Sequence, residues 1–96
     1  MKHLKSFKIY NFMITELGLG ANNLLIYAYI YDSLPNPLQI SIADIAEALN
    51  LSKVAVIAVL KRLKDWNVIT IEKTQREDLG SDCNIYRIEH FDYNNN

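Results

Sequence analysis

The sequence predicts an α+β protein that is mainly helical, with a three-helix core and a C-terminal β-hairpin. Two observations carry this prediction. Apolar residues recur at helical spacing in residues 42–49 and again in residues 52–66, and only a short turn separates the two segments. Residues 68–73 and 84–91 alternate apolar and polar side chains, as paired strands do. A length of 96 residues predicts one domain with one modest core.

The predicted domain, residues 1–96, divides into four parts. They are an N-terminal arm with a short helical turn (residues 1–20), the three-helix core (21–66), the hairpin (67–91) and a disordered tail (92–96). Within the arm, residues 7–12 alternate apolar and polar side chains, which predicts a short strand or an extended segment. The polar tail is typical of a frayed terminus.

The first core helix is predicted over residues 22–32, with Asn22 or Asn23 as its N-cap. Its central run, residues 24–31, is entirely apolar and by composition alone suits a buried strand as well. Its length and the asparagine caps favour a helix. A helix this apolar must be covered on most sides, either by the core or by a second subunit.

The second core helix follows a loop with two prolines and a short predicted strand over residues 38–40. Ser41 is its predicted N-cap, and Asp44 stands three residues later, where a capping partner belongs. Asn50 is placed to end this helix in a left-handed backbone conformation. The pattern predicts that the next helix begins after only a short turn.

The third core helix is predicted to begin at the cap Ser52 and to end before Asn67, which takes the position of a left-handed C-terminal residue. An inner apolar stripe is formed by Val56, Leu60 and Leu63. The opposite face then carries Lys53, Val54, Ala55, Ile57, Ala58 and Lys61. The two strands after this helix enclose a polar loop and complete the predicted hairpin.

Residues 41–69 resemble the winged helix-turn-helix pattern. In that pattern a helix carrying "ADIAEALNLS" turns into a recognition helix ending in "LKRL", and a tight stop and a strand follow. Asn67 stands where that pattern usually has glycine. Residues 7–34 resemble the N-terminal segment of winged-helix domains in phage and plasmid replication initiators and in DnaD-like proteins.

The resemblance implies a DNA-binding protein that acts in transcriptional regulation or in replication initiation. In a winged helix the recognition helix enters the major groove and the hairpin, or wing, follows the backbone. The candidate DNA-binding residues are Ser52, Lys53, Ala55, Ile57, Lys61, Arg62, Lys73 and Arg76. Cations in the last turns of the helix, such as Arg62 and Lys64, also serve simply to complement the helix dipole.

The distribution of charge is compatible with this function although the net charge is −1. Residues 1–10 and 51–66 each carry a net charge of +3, whereas residues 11–50 carry −4 and residues 67–96 carry −3. The net charge of −1 excludes a chain that is basic throughout. It is compatible with a positive surface that is confined to one region, here the predicted recognition helix.

An alternative function is a winged helix that acts as a protein-interaction or dimerisation module without strong DNA binding. Four of the six outward residues of the third helix are aliphatic, and aliphatic groups cannot read hydrogen-bond donors and acceptors on bases. The tip of the predicted wing, residues 77–82, is acidic and would be repelled by phosphates. We further expect a homodimer through the helix at residues 22–32, with the arm at residues 7–12 beside it, because a two-fold dimer doubles the contacts on a palindromic site.

The sequence shows no pattern of catalysis, so we expect no enzyme, no cofactor and no small-molecule ligand. His3, Cys83 and His90 lack the close spacing of a zinc site. The single cysteine suits a reducing compartment, and no apolar run is long enough for a bilayer span or a secretory signal. These features predict a cytoplasmic protein.

Overall fold

The computed structural model describes residues 6–73 and 83–89. Within those residues the chain forms four helices and three strands. In chain order they are α1 (Asn11–Thr15), α2 (Ala21–Tyr31), β1 (Leu38–Ser41), α3 (Ile42–Leu49), α4 (Lys53–Asp65), β2 (Ile69–Lys73) and β3 (Cys83–Ile88). The predicted α+β class is confirmed, and the arrangement is that of a winged helix-turn-helix.

The described strands form one antiparallel sheet in the order β1-β3-β2. The predicted hairpin is therefore confirmed as β2 and β3, with Ile69 opposite Ile88. The predicted strand at residues 38–40 also exists, but it pairs with β3, where Leu38 lies opposite Tyr86. This pairing ties the hairpin to the segment that leads into α3, so the sheet and the helix-turn-helix form one unit.

The strand β3 is anchored to the core by a buried tyrosine. Tyr86 has no solvent exposure, and its hydroxyl accepts a hydrogen bond from the Asn84 side-chain amide at 3.0 Å. Burial raises the pKa of the Tyr86 hydroxyl above its ordinary value of 10.0 because the charged form would be poorly solvated. The phenol is thus neutral at physiological pH, and its ring joins the apolar core.

The helix α2 is the centre of the core. Ile26, Tyr27, Ala28 and Ile30 are buried, and the other residues from Asn22 to Tyr31 are half-buried. The helix packs against α1, α3, α4 and β3. The sequence allowed either the core or a second subunit to cover the apolar surface of α2. In the structure the domain itself covers most of that surface.

The segment before α2 contributes more residues to the core than the prediction of an N-terminal arm implied. Residues 6–10 have no regular structure, so the strand alternative for residues 7–12 is wrong, and α1 begins at Asn11. Met13 on α1 and Leu19 after it are both buried in the common core. The chain between residues 11 and 20 thus stabilises the domain by apolar burial.

The helix caps follow the sequence prediction at α3 and differ from it at α2. The Ser41 hydroxyl accepts a hydrogen bond from the Asp44 backbone N–H at 3.0 Å, which confirms Ser41 as the N-cap. The helix α2 begins instead at Ala21, one residue earlier than predicted, and its N-cap is Gly20 without a side-chain hydrogen bond. The predicted asparagine caps of this helix are therefore wrong.

The C-terminal part of the predicted domain lies partly outside the described residues. The predicted strand over residues 84–91 is observed as β3, which ends at Ile88. The hairpin tip and the predicted tail at residues 92–96 lie outside the described ranges. The predicted three-helix core over residues 21–66 corresponds closely to α2, α3 and α4.

Candidate nucleic-acid interface

The turn between α3 and α4 is held by backbone hydrogen bonds and one side-chain cap. Asn50 adopts the predicted left-handed conformation, with φ 58° and ψ 47°. The next backbone N–H, that of Leu51, donates to the Ala46 carbonyl at 2.9 Å. The Ser52 hydroxyl then accepts from the Ala55 backbone N–H at 3.1 Å. These bonds fix where α4 begins and how it leaves the turn.

The inner face of α4 is buried in the core. Val56, Leu60 and Leu63 are buried as predicted, and Val59 joins them. The end of the helix is equally well defined, because Asn67 has a φ of 63° and its N–H donates to the Lys64 carbonyl at 2.9 Å. The rotation of α4 about its axis is therefore set by four buried side chains.

This rotation leaves an apolar outer face on the first two turns of α4. Val54 is 76% exposed and Ile57 is 50% exposed, and Ala58 is exposed beside them. Lys61 follows Ile57 by one turn on the same face and is exposed as well. We call Val54, Ile57, Ala58 and Lys61 the outer face of α4.

Cationic side chains stand beside the outer face. Lys53 lies at the start of α4 and Lys64 in its last turn, and both are exposed. Lys53 is next to the free backbone N–H groups of the helix start, which carry a partial positive charge. The predicted phosphate-binding residues Ser52, Lys53 and Lys61 are thus all exposed on or next to one surface.

A shallow groove of about 230 Å³ separates α4 from the start of α2. It is lined by Ala21, Asn22, Asn23, Ala55, Ala58, Val59 and Arg62. Ala55 was expected to face outward, but it is half-buried in this groove because α2 packs against α4. The groove forms one border of the outer face, since Ala58 belongs to both.

Arg62 is held at this groove by a residue of α2. Its Nη1 atom donates a hydrogen bond to the Asn23 Oδ1 atom at 2.9 Å. The two residues are 39 positions apart in the chain, so no local pattern could have paired them. A guanidinium has five N–H donors, and the exposed Arg62 side chain keeps donors beyond the one that Asn23 accepts.

The described part of the hairpin contributes little net positive charge. The Arg87 guanidinium pairs with the Glu72 carboxylate across the two strands at 2.6 Å. Lys73 is exposed at the end of β2, as its predicted contact with phosphate requires. Arg76 and the acidic segment at residues 77–82 lie outside the described residues.

Neither a metal centre nor a membrane segment is found in the described ranges. No group of three or more His, Cys, Asp or Glu residues there is placed to hold a metal ion. His3 and His90 are not among the described residues, and Cys83 is half-buried at the start of β3. None of the described helices is both long and apolar enough to cross a bilayer.

Comparison with known proteins identifies the same part of the chain. The model of a family described as "HTH domain" matches residues 30–80, slightly more than half of the sequence. The matched segment contains α3, the turn and α4, and it continues through β2. Neither the curated proteins nor the solved structures gave a match. The resemblance of residues 7–34 to replication initiators therefore stays a prediction.

Proposed function

The chain belongs to the HTH domain family, a class of DNA-binding helix-turn-helix proteins, and we propose that it binds duplex DNA with the outer face of α4 in the major groove. The role we propose is transcriptional regulation or replication initiation in the cytoplasm, without a catalytic step. The observation that carries the proposal is the division of α4 into a buried inner face and an exposed face flanked by lysines.

The charges around α4 support this placement. Lys53, Lys61 and Lys64 are exposed on the helix, and Asp65 is its one acidic residue. Lysines beside a groove-binding helix contact phosphates on both sides of the groove and set the orientation of the helix. This positive surface gives the affinity, although the net charge of the whole chain is −1.

The groove beside α2 adds a second backbone contact. In helix-turn-helix proteins the first helix of the motif, here α3, crosses the phosphate backbone, and we propose that the start of α2 adds a contact beside α4. Here Asn22 and Asn23 stand at the start of α2, and Asn23 holds the Arg62 guanidinium beside them. A guanidinium held in place in this way loses less side-chain entropy when it binds a phosphate.

A homodimer is part of the proposal, but its interface is better sought before α2 than on it. The domain buries most of α2, so residues 22–32 offer little free apolar surface. Ile9, Tyr10 and Ile14 are exposed in the segment that leads to α2. Self-association through this segment would double the DNA contacts on a two-fold symmetric site.

The second candidate function is a protein-interaction module, and the apolar outer face of α4 favours it. Val54 and Ile57 are large apolar side chains in contact with solvent, and Trp66 at the end of α4 is also exposed. Exposed apolar surface of this kind often marks a site for a partner protein. The two candidates use the same face and exclude one another there.

Fluorescence anisotropy with a labelled duplex across a salt series tests the proposed function. We expect a Kd below roughly 100 μM at low salt, and we expect it to rise as salt increases because phosphate contacts release counterions. Lys61→Ala should lower the slope of log Kd against log salt by about 1, whereas Lys8→Ala, an exposed lysine before α1, should leave it unchanged. A Kd above roughly 100 μM at low salt contradicts DNA binding.

A further inference from the structure

We infer that α4 selects A·T base pairs by packing against thymine methyl groups rather than by hydrogen bonding to base edges. The inference rests on the proposed function and specifies which DNA that function uses. It follows from the chemistry of the side chains at the positions of α4 that would face the bases.

The outer face of α4 is the part of the helix that would meet the bases. The first turns of a recognition helix contact base edges, and there the described structure presents Val54, Ile57 and Ala58. None of these side chains carries a hydrogen-bond donor or acceptor. The Ser52 hydroxyl already accepts the Ala55 N–H at the helix start, and Lys53 and Lys61 flank the apolar positions. The centre of this surface is therefore aliphatic.

Base pairs differ in the chemical groups that they present in the major groove. The thymine C5-methyl is the apolar group that a base pair presents there, whereas guanine and cytosine present acceptors and an amino donor. Packing Val54 and Ile57 against thymine removes apolar surface from water on both sides. Packing them against a G·C pair would strip water from polar base atoms, as it does at an A·T pair, but with no methyl contact to offset that cost. The same side chains therefore favour A·T pairs and disfavour G·C pairs.

The length of the outer face limits how many base pairs it can contact. Val54 and Ala58 are four residues apart, which is about 6 Å along a helix axis. Base pairs are spaced by about 3.4 Å, so these side chains cover about two base pairs. The lysines before and after them are then placed for the phosphates on either side. We therefore expect readout of a short A·T step, with two thymine methyls in contact.

Replacement of thymine by deoxyuridine tests this inference, because it removes the methyl and keeps every hydrogen-bonding group. We expect an alternating A·T duplex of about 20 base pairs to bind more tightly than its deoxyuridine counterpart. Loss of each contacted methyl should weaken binding by about fourfold, or about 16-fold for two. In a G·C duplex, 5-methylcytosine restores a methyl at the same groove position and should strengthen binding.

Protein variants assign the effect to α4. The double variant Val54→Ala with Ile57→Ala should bind the thymine and deoxyuridine duplexes equally, whereas Leu34→Ala should keep the full difference. Leu34 is a matched control because it is 44% exposed and lies in the turn after α2, outside both the outer face of α4 and the segment before α2.

Three outcomes overturn the inference. Measurable binding with equal affinity for the thymine and deoxyuridine duplexes contradicts methyl recognition but leaves the proposed function intact. A difference that survives in the double variant places the recognition elsewhere. Absence of binding to every duplex overturns the inference together with the proposed function, and the salt series above identifies that case.

Discussion

Replacing Leu63 with alanine lowers the free energy of unfolding by about 2–5 kcal/mol. Leu63 is fully buried on the inner face of α4, and the shorter side chain leaves a cavity in the common core. A domain of 96 residues has a total stability of about 5–14 kcal/mol, so this one change removes a large share of it. Urea denaturation followed by circular dichroism gives the difference directly.

Val54→Ala is the matched control for this prediction, because it also shortens an aliphatic side chain on α4. Val54 is mostly exposed, so we expect its replacement to change the free energy of unfolding by less than about 0.5 kcal/mol. A loss at Val54 that equals or exceeds the loss at Leu63 would show that α4 presents the opposite face to the core. The proposed interface would then be placed on the wrong side of the helix.

Replacing Ile57 with glutamate weakens DNA binding by about 100-fold or more while the domain stays folded. The new carboxylate would stand in the major groove between phosphates, and like charges brought together at an interface cost several kcal/mol. A hundredfold loss corresponds to about 2.7 kcal/mol. Ile57 is half-exposed, so the substitution opens no cavity in the core. Anisotropy measures the affinity, and sedimentation measures the oligomeric state of the same sample.

Leu34→Glu is the control, since Leu34 has a similar exposure of 44% but lies in the turn after α2. We expect it to leave DNA affinity within about twofold when salt and protein concentration are matched. If Ile57→Glu abolishes self-association or binding of a protein partner while DNA affinity is unchanged, the outer face of α4 is a protein-interaction surface. Loss of DNA binding without a change in oligomeric state supports the DNA interface.

The local features of the helix-turn-helix could be predicted from the sequence because neighbouring residues determine them. Ser41 and Ser52 cap the helices that follow them through hydrogen bonds to backbone groups three residues later. Asn50 and Asn67 take left-handed conformations, which asparagine tolerates better than most residues. The inner stripe of α4 follows from helical periodicity, and so does its exposed face.

The features that the sequence did not predict depend on contacts between distant segments. The strand β1 pairs with β3 across more than forty residues, and a four-residue strand carries too little pattern to specify its partner. The hydrogen bond from Arg62 to Asn23 is equally remote, and it replaces the capping role that the sequence predicted for Asn23. Because α2 packs against α4, Ala55 lines the groove between these helices and does not belong to the outer face.

The N-terminal segment shows that alternating apolar and polar side chains do not by themselves predict a strand. Alternating side chains over residues 7–12 suited a strand, but a strand needs a partner and the sheet takes none from this segment in the described residues. The aromatic rings meet instead, with Phe7 against Tyr29 and Tyr10 against Tyr31. Ring packing onto α2 therefore determined the local structure more than the alternating pattern did.

Titration of the isotope-labelled protein with duplex DNA, followed through backbone amide resonances, tests the central claim most directly. The claim is that the outer face of α4 is the surface that meets DNA. We expect the largest chemical-shift changes at Lys53, Val54, Ile57 and Lys61, with smaller changes at Asn22 and Asn23 and none at Leu34. Changes confined to residues 6–15 with α4 unaffected would contradict the account.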